Sequence, residues 1–97
     1  MNAEQTKKIE IIMNNYSFEA QREIFVEECA EAVMACQKFK RKGFSDSAAD
    51  VFANLNEEVA DVCIMAEQMK KYLGETVINE IIDYKLDRQL NRIRAEE

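Results

Sequence analysis

The chain of 97 residues contains no proline and only two glycines, so almost nothing in it interrupts a helix. Alanine, glutamate and lysine are frequent, and all three favour the helical conformation. A chain of this length has room for one modest hydrophobic core. We therefore predict an all-α fold in a single domain that spans residues 1–97.

Helix-terminal signals place the first two helices. The first is predicted to run roughly over residues 3–14 and the second over residues 18–42, with Ser17 as the N-cap of the second. Basic residues in the last turns of the second helix, followed by Gly43, are typical of a helix end.

The second half of the chain contains two further predicted helices. Residues 43–49 are predicted to form a loop that leads into a short helical piece. Residues 54–57 resemble a capping box, so the main third helix either starts there or kinks there, and it ends at Leu73. Thr76 is predicted to cap the fourth helix, which runs to about Ala95.

Charge and hydropathy restrict the partners. The formal net charge of −6 opposes binding to a nucleic-acid backbone, so we predict no nucleic-acid partner. No apolar run approaches the roughly 20 residues of a membrane span, and the first residues lack the pattern of a signal peptide. We expect a cytoplasmic protein without a membrane partner, whose Cys29 and Cys36 are buried, reduced side chains. Because a few helices bury little by themselves, we also expect a homodimer or homotetramer.

The chain contains no histidine, which excludes several kinds of catalytic site. Serine and cysteine nucleophiles activated by histidine are excluded, as are histidine zinc sites. The Glu-x-x-His di-iron bundle, which a helical chain rich in glutamate would otherwise suggest, is excluded as well.

Two helices carry acidic residues inside their apolar faces. On a helical wheel, Glu28 lies in the middle of the apolar face of the second helix, and Glu31 lies at its edge. Glu58 and Asp61 repeat this arrangement on the third helix. The apolar positions concerned are Ile24, Ala32, Ala35 and Phe39 on the second helix, and Leu55, Val62, Met65, Ala66, Met69 and Leu73 on the third. The wheel places Glu23, Glu27, Gln37 and Arg41 on the opposite, polar side of the second helix.

The spacing of these acids is compatible with a helical hairpin. About 12 residues, or roughly 18 Å of helix, separate Glu31 from Gly43, and a similar length separates Asp46 from Glu58. If the chain turns at residues 43–47, the two acidic pairs meet at one height. Burying an unpaired carboxylate costs several kcal/mol, so the group needs protonation, basic partners or a metal ion. Ligands that are all oxygen suit Mg²⁺ or Mn²⁺. In the alternative interpretation, the acids are solvated or pair with lysines of the fourth helix.

Basic residues supply candidate phosphate contacts. Lys85, Arg88 and Arg92 share one side of the fourth helix, beside a predicted apolar stripe of Ile78, Ile82, Leu86 and Ile93. Lys38 lies on the same side of the second helix as Glu31 and is a further candidate. The alternative is that the three cations of the fourth helix only stabilise its C-terminal end.

The segments Glu27-Glu28-Cys29-Ala30-Glu31 and Glu57-Glu58-Val59-Ala60-Asp61 resemble the E-x-x-E … E-x-x-D signature of the MazG-like all-α nucleoside triphosphate pyrophosphohydrolases. Further similar segments are Phe18-Glu19-Ala20-Gln21, Ile64-Met65-Ala66-Glu67-Gln68 and Tyr84-Lys85-Leu86-Asp87-Arg88. The resemblance covers about residues 16–93 and is greatest to small single-domain members from phages and prophages.

The resemblance implies a four-helix bundle completed by oligomerisation. It also implies Mg²⁺ bound by four ligands, and attack of a metal-activated water on the α-phosphorus that gives a nucleoside monophosphate and pyrophosphate. The ligands would be Glu28, Glu31, Glu58 and Asp61. Glu27 or Glu57 would orient the water or act as base, and Gln21 and Phe39 are candidate nucleobase contacts. The alternatives are a helical interaction or regulatory module without activity, and a nucleotide-binding protein without turnover.

Overall fold

The computed structural model describes residues 1–42 and 47–96, which form four α-helices and no strand. The helices are α1 (Ala3–Asn15), α2 (Phe18–Lys42), α3 (Ala48–Leu73) and α4 (Glu75–Glu96). The prediction of an all-α fold is thereby confirmed. The predicted stop signal at Gly43 and most of the predicted turn fall on residues 43–46, outside the described part of the chain.

Side chains cap the first two helices. Asn2 forms a capping box with Gln5, in which each side chain accepts a hydrogen bond from the other residue's backbone N–H. The Ser17 hydroxyl accepts a hydrogen bond from the backbone N–H of Ala20 at 3.1 Å, as its predicted N-cap role requires. The predicted bounds of α2 are confirmed, and α1 extends one residue beyond its predicted end.

The structure corrects two helix starts: of the two alternatives for residues 54–57, a start of the main third helix there is wrong, and so is the predicted cap of the fourth helix at Thr76. α3 begins at Ala48 and continues without interruption through Asn54. At its start, the backbone N–H of Val51 donates a hydrogen bond to the Ser47 carbonyl at 3.1 Å. Burial of Val51 stabilises this early turn, so the capping pattern at 54–57 is not used. α4 begins at Glu75, because the Ile78 N–H donates to the Gly74 carbonyl at 3.0 Å and places Thr76 inside the first turn.

α2 and α3 form an antiparallel pair that contains most of the buried side chains. The fully buried apolar residues of the described chain are Ile9, Ala35, Val51, Met65 and Met69. α1 packs against α3, where the Tyr72 hydroxyl donates to the carbonyls of Met13 and Tyr16 at 3.4 and 3.3 Å. The Phe18 and Tyr72 rings lie 5.3 Å apart between their centroids and close this end of the pair. The core is therefore small and centred on α3.

α4 leaves this core after its first turn. Ile78 is half-buried, and every described residue after it is exposed, including Ile82, Leu86 and Ile93 of the predicted apolar stripe. The radius of gyration of 16.7 Å exceeds the roughly 13 Å of a compact domain of this size. The predicted stripe of α4 is thus present but uncovered. Leu73, predicted to belong to the apolar stripe of α3, is exposed as well.

The cysteines differ from the expectation of burial. All three are free thiols, but Cys29 is only half-buried, and Cys36 and Cys63 are exposed. No helix among the described residues is long and apolar enough to cross a membrane.

Candidate functional site

The antiparallel pairing of α2 and α3 brings four acidic side chains together, which we call the carboxylate quartet: Glu28, Glu31, Glu58 and Asp61. Each helix contributes two acids three residues apart, which places both on one side of that helix. Glu28 interacts with Asp61 across the interface, and Glu58 interacts with Glu31. Carboxylate oxygens of Glu28, Glu31 and Glu58 lie within 4.8 Å of one another.

The two acids at the centre of the quartet are the least solvated. Glu28 and Glu58 are half-buried, whereas Glu31 and Asp61 are exposed. The Oε2 atoms of Glu28 and Glu58 are buried and have no hydrogen-bond partner among the described residues. Buried polar atoms almost always have such a partner, so two unpaired oxygens in one cluster require an explanation.

Burial and mutual repulsion raise the pKa of both central acids. Burial is the largest cause of the raised pKa of the Glu28 carboxyl, followed by the negative charge of Asp61 and then those of Glu31 and Glu58. Burial also dominates for Glu58, whose pKa is raised further by the charge of Glu31. In each case a proton shared with the acid opposite, Asp61 for Glu28 and Glu31 for Glu58, would also favour the protonated form, whereas the fully ionised acids have no donor for these buried oxygens. The quartet therefore holds its full negative charge with difficulty.

The chemistry of the quartet fits a hard divalent cation. It offers only carboxylate oxygens, the ligands that Mg²⁺, Mn²⁺ and Ca²⁺ prefer. Its closely spaced members can converge on one ion, and a cation would satisfy the unpaired oxygens of Glu28 and Glu58. The neighbouring charges that shift the pKa of Glu28 and of Glu58 are all acidic. The interpretation in which these two acids pair with lysines of α4 finds no support in the described contacts.

A cleft of about 430 Å³ opens beside the quartet between α2 and α3. The acids Glu31 and Glu58 and the basic residues Lys38 and Arg41 all line this cleft. Lys38 was predicted from the sequence as a phosphate contact, whereas Arg41 was placed on the polar side of α2. Arg41 reaches the cleft because it lies three residues after Lys38, on the same side of α2, and Gln37 lines the cleft as well. That spacing was the available signal for Arg41.

The cations of α4 lie elsewhere in the described chain. Arg88 and Arg92 line a separate groove along α4, where the Arg88 guanidinium carbon lies 5.9 Å from the centroid of the Tyr84 ring. Lys85 is exposed on the same helix. The residues described as lining the acidic cleft come only from α2 and α3. Within one chain, the structure does not bring these three cations to the quartet.

The remaining candidate residues are divided between interface and surface. Gln21 is buried between α2 and α3, and the Phe39 ring lies 6.1 Å from that of Phe52 between centroids. Both side chains contact the other helix of the pair, and their role toward a nucleobase stays a prediction. Glu27 and Glu57 are exposed, and the charge of Glu57 contributes to the raised pKa of Glu58.

No protein-family model matches the chain, and no curated protein and no solved structure matches it either. The resemblance to the MazG-like signature thus depends on the residues quoted above, and membership of that family stays a prediction.

Proposed function

We propose that this protein is a magnesium-dependent hydrolase that converts nucleoside or deoxynucleoside triphosphates to the monophosphate and pyrophosphate. The observation that carries the proposal is the pair of buried, unpartnered Oε2 atoms of Glu28 and Glu58 inside the carboxylate quartet. A structural cluster of acids would satisfy those oxygens with basic groups or backbone amides. Oxygens left free among other acids are what a divalent cation requires of its ligands.

Glu28, Glu31, Glu58 and Asp61 would hold Mg²⁺, with Mn²⁺ as an alternative. The cation would supply Lewis acidity to the phosphates and to the attacking water. Glu57 lies close enough to Glu58 to affect its pKa, which makes Glu57 a candidate for orienting or deprotonating that water. Glu27 precedes Glu28 in the same way and is the second candidate. Attack at the α-phosphorus, and hence pyrophosphate release, is inferred from the family resemblance.

The cleft beside the quartet suits a polyphosphate. Its volume of about 430 Å³ lies within the 300–1,000 Å³ range of small-molecule sites. Lys38 and Arg41, which line the same cleft as Glu31 and Glu58, would contact phosphate oxygens. Gln21 and Phe39 are retained as candidate nucleobase contacts with weaker support, because both pack within the helix pair.

The protein is proposed to work as a homodimer or homotetramer in the cytoplasm. It exposes 7485 Å², whereas a compact monomer of this length exposes roughly 5,700 Å². The excess of about 1,800 Å² is roughly twice the 800 Å² or so that each partner buries in a standard interface. If α4 packed on a second copy of the chain, Lys85, Arg88 and Arg92 could also contact phosphates bound at the site of that copy.

The test is incubation of the protein with each common ribo- and deoxyribonucleoside triphosphate and Mg²⁺, with products resolved by chromatography. We expect a monophosphate and pyrophosphate in one step. Glu28→Gln and Glu58→Gln should each lower turnover by roughly a hundredfold or more, because each removes a charged oxygen ligand. Glu23→Gln is the matched control, since Glu23 is an exposed acid of α2 that pairs with Arg22.

Two outcomes would contradict this proposal. Release of orthophosphate with a diphosphate product would place the attack at the γ-phosphorus and would remove the support for the MazG-like reaction. Equal turnover by wild type and both quartet variants would separate the activity from the quartet.

The exposed apolar stripe of α4 favours one other function, that of a helical interaction module without enzymatic activity. Ile82, Leu86 and Leu90 remain uncovered on this helix, and a partner protein would bury them as well as a second copy would. This function predicts no turnover of any nucleotide by folded protein in Mg²⁺. A nucleotide-binding protein without turnover would instead bind nucleotide in a metal-dependent manner and release no product.

A further inference from the structure

Two glutamine side chains meet in the interface between α2 and α3. The Gln21 amide nitrogen donates a hydrogen bond to the Gln68 Oε1 atom at 2.8 Å. Gln68 is only 1 % exposed and is the most buried large side chain of the described chain, while its own amide nitrogen lies 3.5 Å from the Met65 sulfur. A buried amide loses much more by losing its partner than an apolar side chain loses by a small shift, so this contact has one favoured geometry.

The amide pair and the carboxylate quartet share one register. Gln21 lies seven residues before Glu28, and Gln68 lies seven residues after Asp61. Seven residues are two helical turns, so each glutamine is on nearly the same face as the acid that follows or precedes it. Because α2 and α3 are antiparallel, pairing Gln21 with Gln68 sets Glu28 opposite Asp61. The same register sets Glu31 opposite Glu58.

Apart from the ring contacts of Phe18 with Tyr72 and of Phe39 with Phe52, the buried side chains of the interface restrict that register only weakly. The fully buried apolar side chains on the two helices are Ala35, Val51, Met65 and Met69. The alanine side chain is small and methionine is flexible, so the contacts of Ala35, Met65 and Met69 tolerate sliding by part of a turn. The four acids oppose the observed register in the absence of a cation, since it brings like charges together.

We propose that Gln21 and Gln68 are positioning residues whose hydrogen bond holds α2 and α3 in the register that assembles the carboxylate quartet. The functional part of this inference rests on the proposed cation site, whereas the register itself is measurable without any metal. The pair acts on the acids only through helix placement, because neither amide contacts them in the described structure. A buried polar contact of this kind specifies one alignment among several that apolar packing would permit.

The register can be read with spin labels on native thiols. Cys36 and Cys63 are exposed on α2 and α3, and Cys29→Ala leaves them as the label sites. Cys36 lies 15 residues after Gln21 and Cys63 five residues before Gln68, so their axial separation is ten residues, or about 15 Å. A slip of one turn changes that separation by about 5 Å.

The decisive variant is Gln21→Met with Gln68→Met, which replaces both amides by apolar side chains of similar size. Replacing both partners is close to neutral for stability, so the helices should remain folded. We expect the metal-free distance distribution to shift or broaden by several Å. Tyr72→Phe, which removes hydrogen bonds between α3 and the end of α1, is the control and should leave the distribution unchanged.

Mn²⁺ titration followed by electron paramagnetic resonance gives the second readout. We expect the double variant to bind Mn²⁺ about tenfold more weakly than wild type, and Tyr72→Phe to bind it normally. A folded double variant with an unchanged distance distribution and unchanged Mn²⁺ affinity overturns the proposal. Should the double variant not fold, Gln21→Asn shortens the side chain by one methylene and replaces it, with the same expectations and the same overturning result.

The two proposals fail in different ways. Wild type that binds no Mn²⁺, combined with a shifted register in the double variant, would contradict the proposed function and leave the register role intact. If wild type binds Mn²⁺ and the double variant is indistinguishable from it, the register role is contradicted and the proposed cation site is left intact.

Discussion

The α2–α3 pair buries polar groups, whereas α4 exposes apolar ones. Between α2 and α3, polar groups lie inside: Gln21 and Gln68 are buried, and Glu28 and Glu58 each bury an oxygen. On α4, apolar groups lie outside, and Leu86 remains 58 % exposed. Both arrangements cost free energy in an isolated chain.

The difference indicates two kinds of missing partner. Buried oxygens without hydrogen bonds require a small charged species that fits between two helices. An exposed apolar stripe along a 22-residue helix requires a macromolecular surface. If the proposed cation binding and self-association both occur, they would be separable properties of these two regions, and each could be changed without the other.

The largest expected effect is on association through α4. Ile82→Asp with Leu86→Asp should weaken self-association about a thousandfold, because burying each such side chain stabilises an interface by about 1.5–3 kcal/mol. Light scattering across a concentration series measures the change, and Gln89→Glu, an exposed site on the same helix, is the matched control. A wild type that is a folded monomer at micromolar concentration would contradict the proposed assembly. Unchanged Mn²⁺ affinity of the monomeric variant would show that the quartet belongs to one chain.

Arg88→Ala tests whether α4 contributes to the site of a neighbouring copy. Loss of one charge-assisted phosphate contact, worth about 1.5–3 kcal/mol, should weaken nucleotide binding and lower kcat/KM at least tenfold. Steady-state kinetics and equilibrium nucleotide binding should change together, since the contact acts in ground and transition states alike. Arg94→Ala, a basic residue in the last turn of α4, should have little effect. Normal kinetics of Arg88→Ala would leave Lys38 and Arg41 as the phosphate contacts.

Magnesium should stabilise the fold through the quartet. At ten times its dissociation constant, an ion that binds only the folded state adds about 1.4 kcal/mol, or roughly 7 °C in melting temperature. Glu58→Gln should abolish this increase without lowering the melting temperature of the metal-free protein, because it removes one of four repelling charges. Calorimetric melting with and without Mg²⁺ measures both. A metal-free Glu58→Gln variant that fails to fold would indicate a structural salt bridge instead.

The smallest expected effect is a pH dependence of metal-free stability. Burial and neighbouring acids raise the pKa of Glu28 and Glu58 above the ordinary value of 4.5, so the folded state binds more protons than the unfolded state just above that pH. The stability that these two acids contribute is therefore fully present below about pH 4.5, and it is lost as the pH rises through their raised folded-state pKa values. Denaturant titrations at several pH values across this range give the free energy of unfolding. Its slope against pH should differ between wild type and Glu28→Gln. Identical slopes would show that Glu28 titrates normally.

Sequence patterns predicted the parts of the fold that local chemistry controls. Ser17 and the glycine after Leu73 marked helix ends, and those boundaries were confirmed. The three-residue spacing of acids in two apolar faces pointed to the cluster that the structure brings together. Both predictions depend only on helical periodicity and on one antiparallel pairing.

Features that depend on three-dimensional packing could not be predicted in this way. An apolar stripe on α4 looks the same in the sequence whether or not another helix covers it, so the exposure of Leu86 was missed. The start of α3 was misplaced because burial of Val51 outweighs the capping preference of Asn54. Gln21 was considered only as a nucleobase contact, because its partner Gln68 is 47 residues away in the chain.

The two unpaired glutamate oxygens also bear on how long each molecule would survive in a cell. Without a cation, the repulsion around Glu28 and Glu58 increases the fraction of chains that are unfolded at any moment. Proteases degrade chains from that fraction, so a modest loss of stability lowers the steady-state amount of protein several-fold. If the proposed cation site is correct, a newly made chain that binds the ion would persist, and one that does not would be removed. Supply of the ion would then set protein abundance as well as activity.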